Sequence, residues 1–108
     1  MNGYQITFFT QQDRRHHGKP LADWLLELAE EMDFRGATLI PATEGIGHHH
    51  RVHSARFFEL SDQPIAVVMA LTRDEADQLF ERLRTEGVKV FYVKTAVEFG
   101  FFGDDDQK

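Results

Sequence analysis

Residues 64–93 read PIAVVMALTRDEADQLFERLRTEGVKVFYV, and the order of the fold turns on them. Ile65 to Leu71 is the longest uninterrupted apolar run in the chain. It predicts a buried central strand and is far too short to span a bilayer. Thr72-Arg73-Asp74-Glu75 follows at once. The Thr72 hydroxyl can accept from the Glu75 amide while the Glu75 carboxylate reaches back, so these residues predict a capping box and a helix start. Ala76, Leu79, Phe80 and Leu83 then give that helix one apolar face. Gly87 predicts its end, and Val88 to Val93 a last strand with Val97 as its furthest extension.

The same alternation of strand and helix precedes this stretch. Tyr4 to Phe9 predicts a first strand, and Gln11 to Lys19 is polar and ends in Gly18-Lys19-Pro20. Pro20 suits a first helical turn. Leu21, Trp24, Leu25, Leu28, Ala29 and Met32 predict one apolar helix face ending before Gly36, with Trp24 and Met32 as core rather than cofactor contacts. Ala37 to Ile40 predicts a second strand, which Pro41 limits to an edge or end position. Thr43 to His53 has neither a helical nor a strand period and contains Gly45 and Gly47, as functional connections in small domains do. Ser54 to Leu60 is strand-like, and Ser61-Asp62-Gln63-Pro64 a turn. Without the Ser54 to Leu60 segment the order is βαββαβ. The expected class is therefore α+β, a ferredoxin-like sandwich with an extra strand and loop inserted between the second and third core strands. Both helices then cover one face of the sheet, and the other face awaits a partner subunit.

With 108 residues, 42% hydrophobic and 28% charged, the chain is one globular domain's worth. Residues 1–100 are expected to form it, and residues 101–108, with Asp104 to Asp106, a solvated acidic tail. Ten Phe in so small a domain exceed what one core holds, which again favours a symmetric oligomer. The absence of cysteine excludes disulfides, thiolate zinc sites and a Cys nucleophile. A net charge of −6 argues against general nucleic-acid binding. No basic segment leads into an apolar one near Met1, so the expected location is the cytoplasm, with no membrane insertion.

The charge is segregated. Arg14 to Lys19 and Gly45 to Arg56 together hold all six His and five of the twelve Lys and Arg, without one acid. If the two segments meet, they form a local anion site on an otherwise acidic body. Gly45 and Gly47 allow close backbone approach and an anion nest. Arg51 offers a planar fork for phosphate or carboxylate and Lys19 a point charge. His53 joins that group, and Arg56 can share a strand face with Ser54. The bland reading is that these cations pair with the acids of the first helix or with a neighbouring subunit. The histidines allow a second chemistry. In an extended segment His48 and His50 point one way, His49 and His53 the other. One such pair supplies half a tetrahedral site for Zn, Cu or Ni, to be completed by Glu44 or a trimer axis. Clustered imidazoles also titrate near neutrality. Catalysis fits least well: His53-Ser54 adjacency is not nucleophile–base geometry, Asp62 has no evident link to the pair, and no P-loop signature is present.

His17-Gly18-Lys19-Pro20-Leu21, Gly36-Ala37-Thr38, Gly45-Ile46-Gly47, Arg51-Val52-His53-Ser54 and Leu60-Ser61-Asp62-Gln63-Pro64 stand in an order and spacing that resembles a known family. It is the domain of unknown function 190, a relative of the PII signalling proteins and the CutA-type cation-tolerance proteins, and the likeness runs from about Ile6 to Val97. The resemblance implies a PII-like subunit, a homotrimer, and a small anionic ligand such as an adenine nucleotide or cyclic dinucleotide in clefts between subunits. It also implies a mobile loop, here Thr43 to His53, that touches a protein target such as a membrane transporter or an enzyme. The expected function is thus non-enzymatic regulation, with Lys19, Gly45, Gly47, Arg51, His53 and Arg56 at the ligand. The alternative is a metal-responsive trimer of CutA type, with a divalent transition metal on His48, His49, His50 and His53; His48-His49-His50 is where the chain departs from the family's usual pattern.

Overall fold

The computed structural model describes residues 1–41, 44–46, 52–54 and 63–103. Strand β1 (Asn2–Gln11) leads through two short strands, β2 (Arg15–His16) and β3 (Lys19–Pro20), into helix α1 (Leu21–Glu31). Then come β4 (Ala37–Pro41), the short pair β5 (Glu44–Ile46) and β6 (Val52–Ser54), β7 (Pro64–Thr72), α2 (Arg73–Glu86) and β8 (Phe91–Glu98). The four long strands form one antiparallel sheet in the order β4-β7-β1-β8. Set aside the short hairpins and this is the ferredoxin-like βαββαβ arrangement, with the β5–β6 hairpin inserted between the second and third core strands.

The core follows from period-two strands meeting period-3.6 helices. Ile6 and Phe8 of β1 and Ile65, Val67, Met69 and Leu71 of β7 are buried on one sheet face. Leu21, Ala22, Leu25, Leu28 and Ala29 of α1 and Ala76, Leu79 and Leu83 of α2 close over them. Trp24 and Met32 are half-buried at the margin of this core. Pro41 ends β4, itself an edge strand, so its missing N–H costs the sheet nothing.

Helix α2 is held at both ends as its sequence requires. The Glu75 amide donates to the Thr72 hydroxyl at 3.2 Å, and the Thr72 amide to the Glu75 carboxylate at 2.8 Å. A cap of this kind is worth about 1 kcal/mol. Gly87 takes a φ of 72°, while the amides of Gly87 and Val88 donate to the carbonyls of Arg84 and Leu83. This paired closure of the last turn explains why the final strand starts late. Val88 is still bonded to the helix, so β8 opens at Phe91 and reaches Glu98, three residues on from the start its apolar residues predict.

Three further expectations change. The polar Gln11 to Lys19 segment contains the β2–β3 hairpin. Thr43 to His53, read as lacking strand character, holds β5 and the first residues of β6. Their cross-strand bonding needs no apolar alternation, which is why periodicity missed both pairs. Strand β7 is central, but its burial alternates: Ala66, Val68 and Ala70 are only half-buried on the face away from the helices. The predicted strand 54–60 falls outside the described residues beyond Ser54, as do Ser61 and Asp62 of the turn and the run Asp104 to Asp106.

Candidate functional site

The inserted hairpin carries two of the anion-site candidates. In its register Glu44 pairs with Ser54, Gly45 with His53, and Ile46 with Val52. Two of the residues singled out from sequence, Gly45 and His53, therefore stand directly opposite one another at the base of the 47–51 connection. Gly47, Arg51 and Arg56, with the metal candidates His48, His49 and His50, lie outside the described residues.

The first basic segment is placed in full. Strands β2 and β3 pair Arg15 with Pro20 and His16 with Lys19, leaving His17 and Gly18 at the turn. Both turn residues have positive φ, 54° and 80°, as tight hairpins whose twist matches their strands require. The Leu21 amide donates to the Arg14 carbonyl at 2.7 Å, and the Arg14 guanidinium donates to the Lys89 carbonyl. These bonds clamp the hairpin between the start of α1 and the segment after α2.

Helical acids then meet the hairpin's cations. Lys19 Nζ lies 2.6 Å from Glu27 Oε1 of α1. The Nε2 atoms of His16 and His17 lie 3.2 and 2.9 Å from one and the same oxygen of Glu86, on the last turn of α2. Arg82 Nε reaches the other Glu86 oxygen at 3.4 Å, and its Nη1 stands 3.0 Å from Glu31 Oε2. The His16 ring meets Trp24 edge-on at 4.4 Å between centroids. Hydrogen bonding to His17 and His16, reinforced by Arg82, holds the Glu86 carboxyl far below the ordinary carboxylate range, at about 2. A segment without an acid in its own sequence is thus supplied with two by tertiary contact, as the bland reading of its cations has it. Glu86 escapes sequence reading because its partners are 69 and 70 residues away. The one local signal is Arg82, four residues earlier on the same helix face.

Among the described residues no helix is long and apolar enough to cross a membrane. A shallow groove on the solvent side of the helices, lined by Met32, Asp77, Gln78, Glu81, Arg82 and Thr85, sets two carboxylates against one guanidinium and offers little to an anion.

Residues 3–98 match the sequence profile of DUF190, described as Uncharacterized ACR. The chain belongs to this family. This DUF190 chain is 28% identical over 97 residues to a UPF0166 protein of Aquifex aeolicus (strain VF5), covering 82% of this chain and 92% of that one. Its fold is PII-like. One solved neighbour is CPII, a nitrogen regulatory PII-like protein from Thiomonas intermedia K12 bound to ADP, AMP and bicarbonate, at a TM-score of 0.65 and 13% identity over 90% of this chain and 87% of that one. Another is a putative PII-like signaling protein from Thermus thermophilus, at a TM-score of 0.64 and 19% identity over 90% and 88%. The sequence resemblance and the expected fold class agree with these findings.

Proposed function

We propose that this DUF190 protein is a non-enzymatic regulator that binds an adenine nucleotide or cyclic dinucleotide at clefts between the subunits of a homotrimer. The observation that carries the reading is the inserted hairpin. It occupies the connection between the second and third core strands of a PII-like sheet, and a neighbour of that fold is bound to ADP and AMP. Gly45 pairs with His53 in the hairpin's register, and a residue without Cβ at that position lets a ligand approach the backbone closely. The 47–51 connection adds Gly47 and Arg51, a close-approach residue and a planar phosphate fork. Arg56 follows on the same segment, and Lys19 contributes once its Glu27 pair opens.

Binding would act by shifting the population of the 43–53 segment, and with it the fit to a protein target. No bond chemistry is involved. The oligomer is supported by the bare sheet face, where Ile40, Phe9, Phe91 and Val93 remain exposed in the single chain. Calorimetry on metal-free protein with a panel of adenine nucleotides and cyclic dinucleotides tests the reading. Binding that weakens at least tenfold in Arg51→Ala is the expected result. No heat from any nucleotide at millimolar concentration overturns it.

A further inference from the structure

The geometry of the β2–β3 hairpin against α2 points to a second site. We propose that Nε2 of His16, Nε2 of His17 and a carboxylate oxygen of Glu86 form a binding site for a divalent transition metal ion of the zinc, nickel or copper kind. This proposal is independent of the nucleotide reading and uses none of the residues assigned there.

The three ligand atoms already lie within 4.8 Å of one another. In a tetrahedral zinc site with bonds of about 2.0–2.1 Å, neighbouring ligand atoms stand roughly 3.3–3.4 Å apart. The two Nε2 atoms are 3.2 and 2.9 Å from Glu86 Oε1, so those two edges open by a few tenths of an ångström to admit an ion, while the edge between the two Nε2 atoms, within 4.8 Å, closes onto it. An ion can stand where the Nε2 protons point: each neutral ring then carries its proton on Nδ1, an imidazolium releases one to solvent, and the freed Nε2 lone pairs and the Glu86 oxygen bind the metal. Three protein ligands leave one position for water or an incoming ligand.

The surroundings hold these ligands rather than merely permitting them. His17 sits at a φ of 54°, a left-handed turn conformation in which His, like Asn and Asp, is enriched among residues with side chains. At that position its Nε2 lies 2.9 Å from Glu86. His16 is fixed against the edge of Trp24. The second Glu86 oxygen is held by Arg82, whose own charge is shared with Glu31. With neutral imidazoles, the three ligands together carry the single negative charge of Glu86, which suits a cation. Two imidazoles and one carboxylate suit zinc, nickel or copper better than calcium or magnesium, which take oxygen ligands. The ion would tie the hairpin to the end of α2, groups 69 and 70 residues apart in the chain.

The chain also carries His48, His49, His50 and His53, so the experiment must separate the two sets. Full-length protein stripped with chelator is titrated with Zn(II) by calorimetry and with Co(II) by its visible absorption, which reports coordination number. Wild type and a variant with His48, His49, His50 and His53 changed to Gln should each bind one equivalent per chain with equal affinity. His17→Asn, which keeps the turn's backbone preference, and Glu86→Gln should each weaken it at least a hundredfold, more than loss of an outer-shell partner. Circular dichroism melts of both variants check that the fold is intact. Uptake lost in the four-histidine variant, unchanged in His17→Asn and Glu86→Gln, or below one equivalent in wild type overturns the proposal.

Discussion

If the proposed homotrimer covers the sheet face away from the helices, Phe9→Glu should dissolve it while leaving the subunit folded. Phe9 lies on β1 on the sheet face away from the helices, paired in register with Ala66 of β7 and Phe91 of β8, and Ile40 of β4 pairs with Ala66 in turn. The Phe9 and Phe91 rings are 5.8 Å apart. In the single chain Phe9 is 44% exposed, Phe91 69%, Ile40 47% and Val93 44%. A buried aromatic side chain covers about 200 Å², so Phe9 still presents about 90 Å² to solvent. At about 25 cal/mol per Å², covering it is worth about 2 kcal/mol per subunit. In three copies the apolar loss alone is about 6–7 kcal/mol, a fall of roughly 10⁴- to 10⁵-fold in the trimer association constant. Desolvating three carboxylates adds to that. Because Phe9 contributes nothing to the helix-side core, the monomer should keep its far-ultraviolet dichroism. Light scattering after gel filtration at micromolar concentration reads the outcome. A wild-type monomer, or a Phe9→Glu protein that stays trimeric, refutes the reasoning.

Two further expectations concern the subunit itself. Burial alone would raise the Glu75 carboxyl, but the Thr72 amide and the Arg35 guanidinium, 2.7 Å away, outweigh it and hold it below its ordinary 4.5. A lowered carboxyl stabilises the fold above its unfolded value and loses that contribution as pH falls through the folded one. Glu75→Gln should therefore melt lower than wild type at pH 7, by an amount corresponding to about 1 kcal/mol, with the gap closing as the pH drops below 4.5; a gap that persists in acid contradicts the assignment. In Gly3→Ala the new Cβ would overlap the Leu71 carbonyl oxygen and stand 2.8 Å from Thr72 Cα. Overpacking against backbone of this kind costs about 1–3 kcal/mol, and a urea midpoint equal to that of wild type would show that β1 and β7 part more easily than their register implies.

What the sequence made legible was whatever local chemistry decides. The Thr72–Glu75 capping box, the Gly87 stop, the apolar faces of both helices and the edge position of Pro41 are each written within a few neighbouring residues, and each stands in the fold as expected. The βαββαβ order followed from their sequence. Short hairpins were not legible, because β2–β3 and β5–β6 are held by cross-strand bonding and turn geometry rather than by apolar alternation. The start of β8 was misplaced because Val88 and Val90 look like strand residues while packing at the helix cap and core margin.

The candidate sites show the same division between local and distant causes. Grouping residues by their place in the chain gave two acid-free basic segments, and from this followed the idea of a shared anion site. The fold breaks that symmetry. Glu27 takes Lys19, and Glu86 takes His16 and His17, while Arg14 and Arg15 donate to the carbonyls of Lys89 and Gly18. In the proposed reading the phosphate fork is Arg51 of the second segment, which stands in a stretch with no acid from Gly45 to Arg56. The first segment acquires a different chemistry: two imidazoles turned onto one carboxylate, which is a donor set for a cation rather than an anion. Two His-rich stretches that look alike in sequence are thus proposed to serve opposite ions, the second an anion and the first a cation. The residue that separates them is a glutamate at the far end of the second helix.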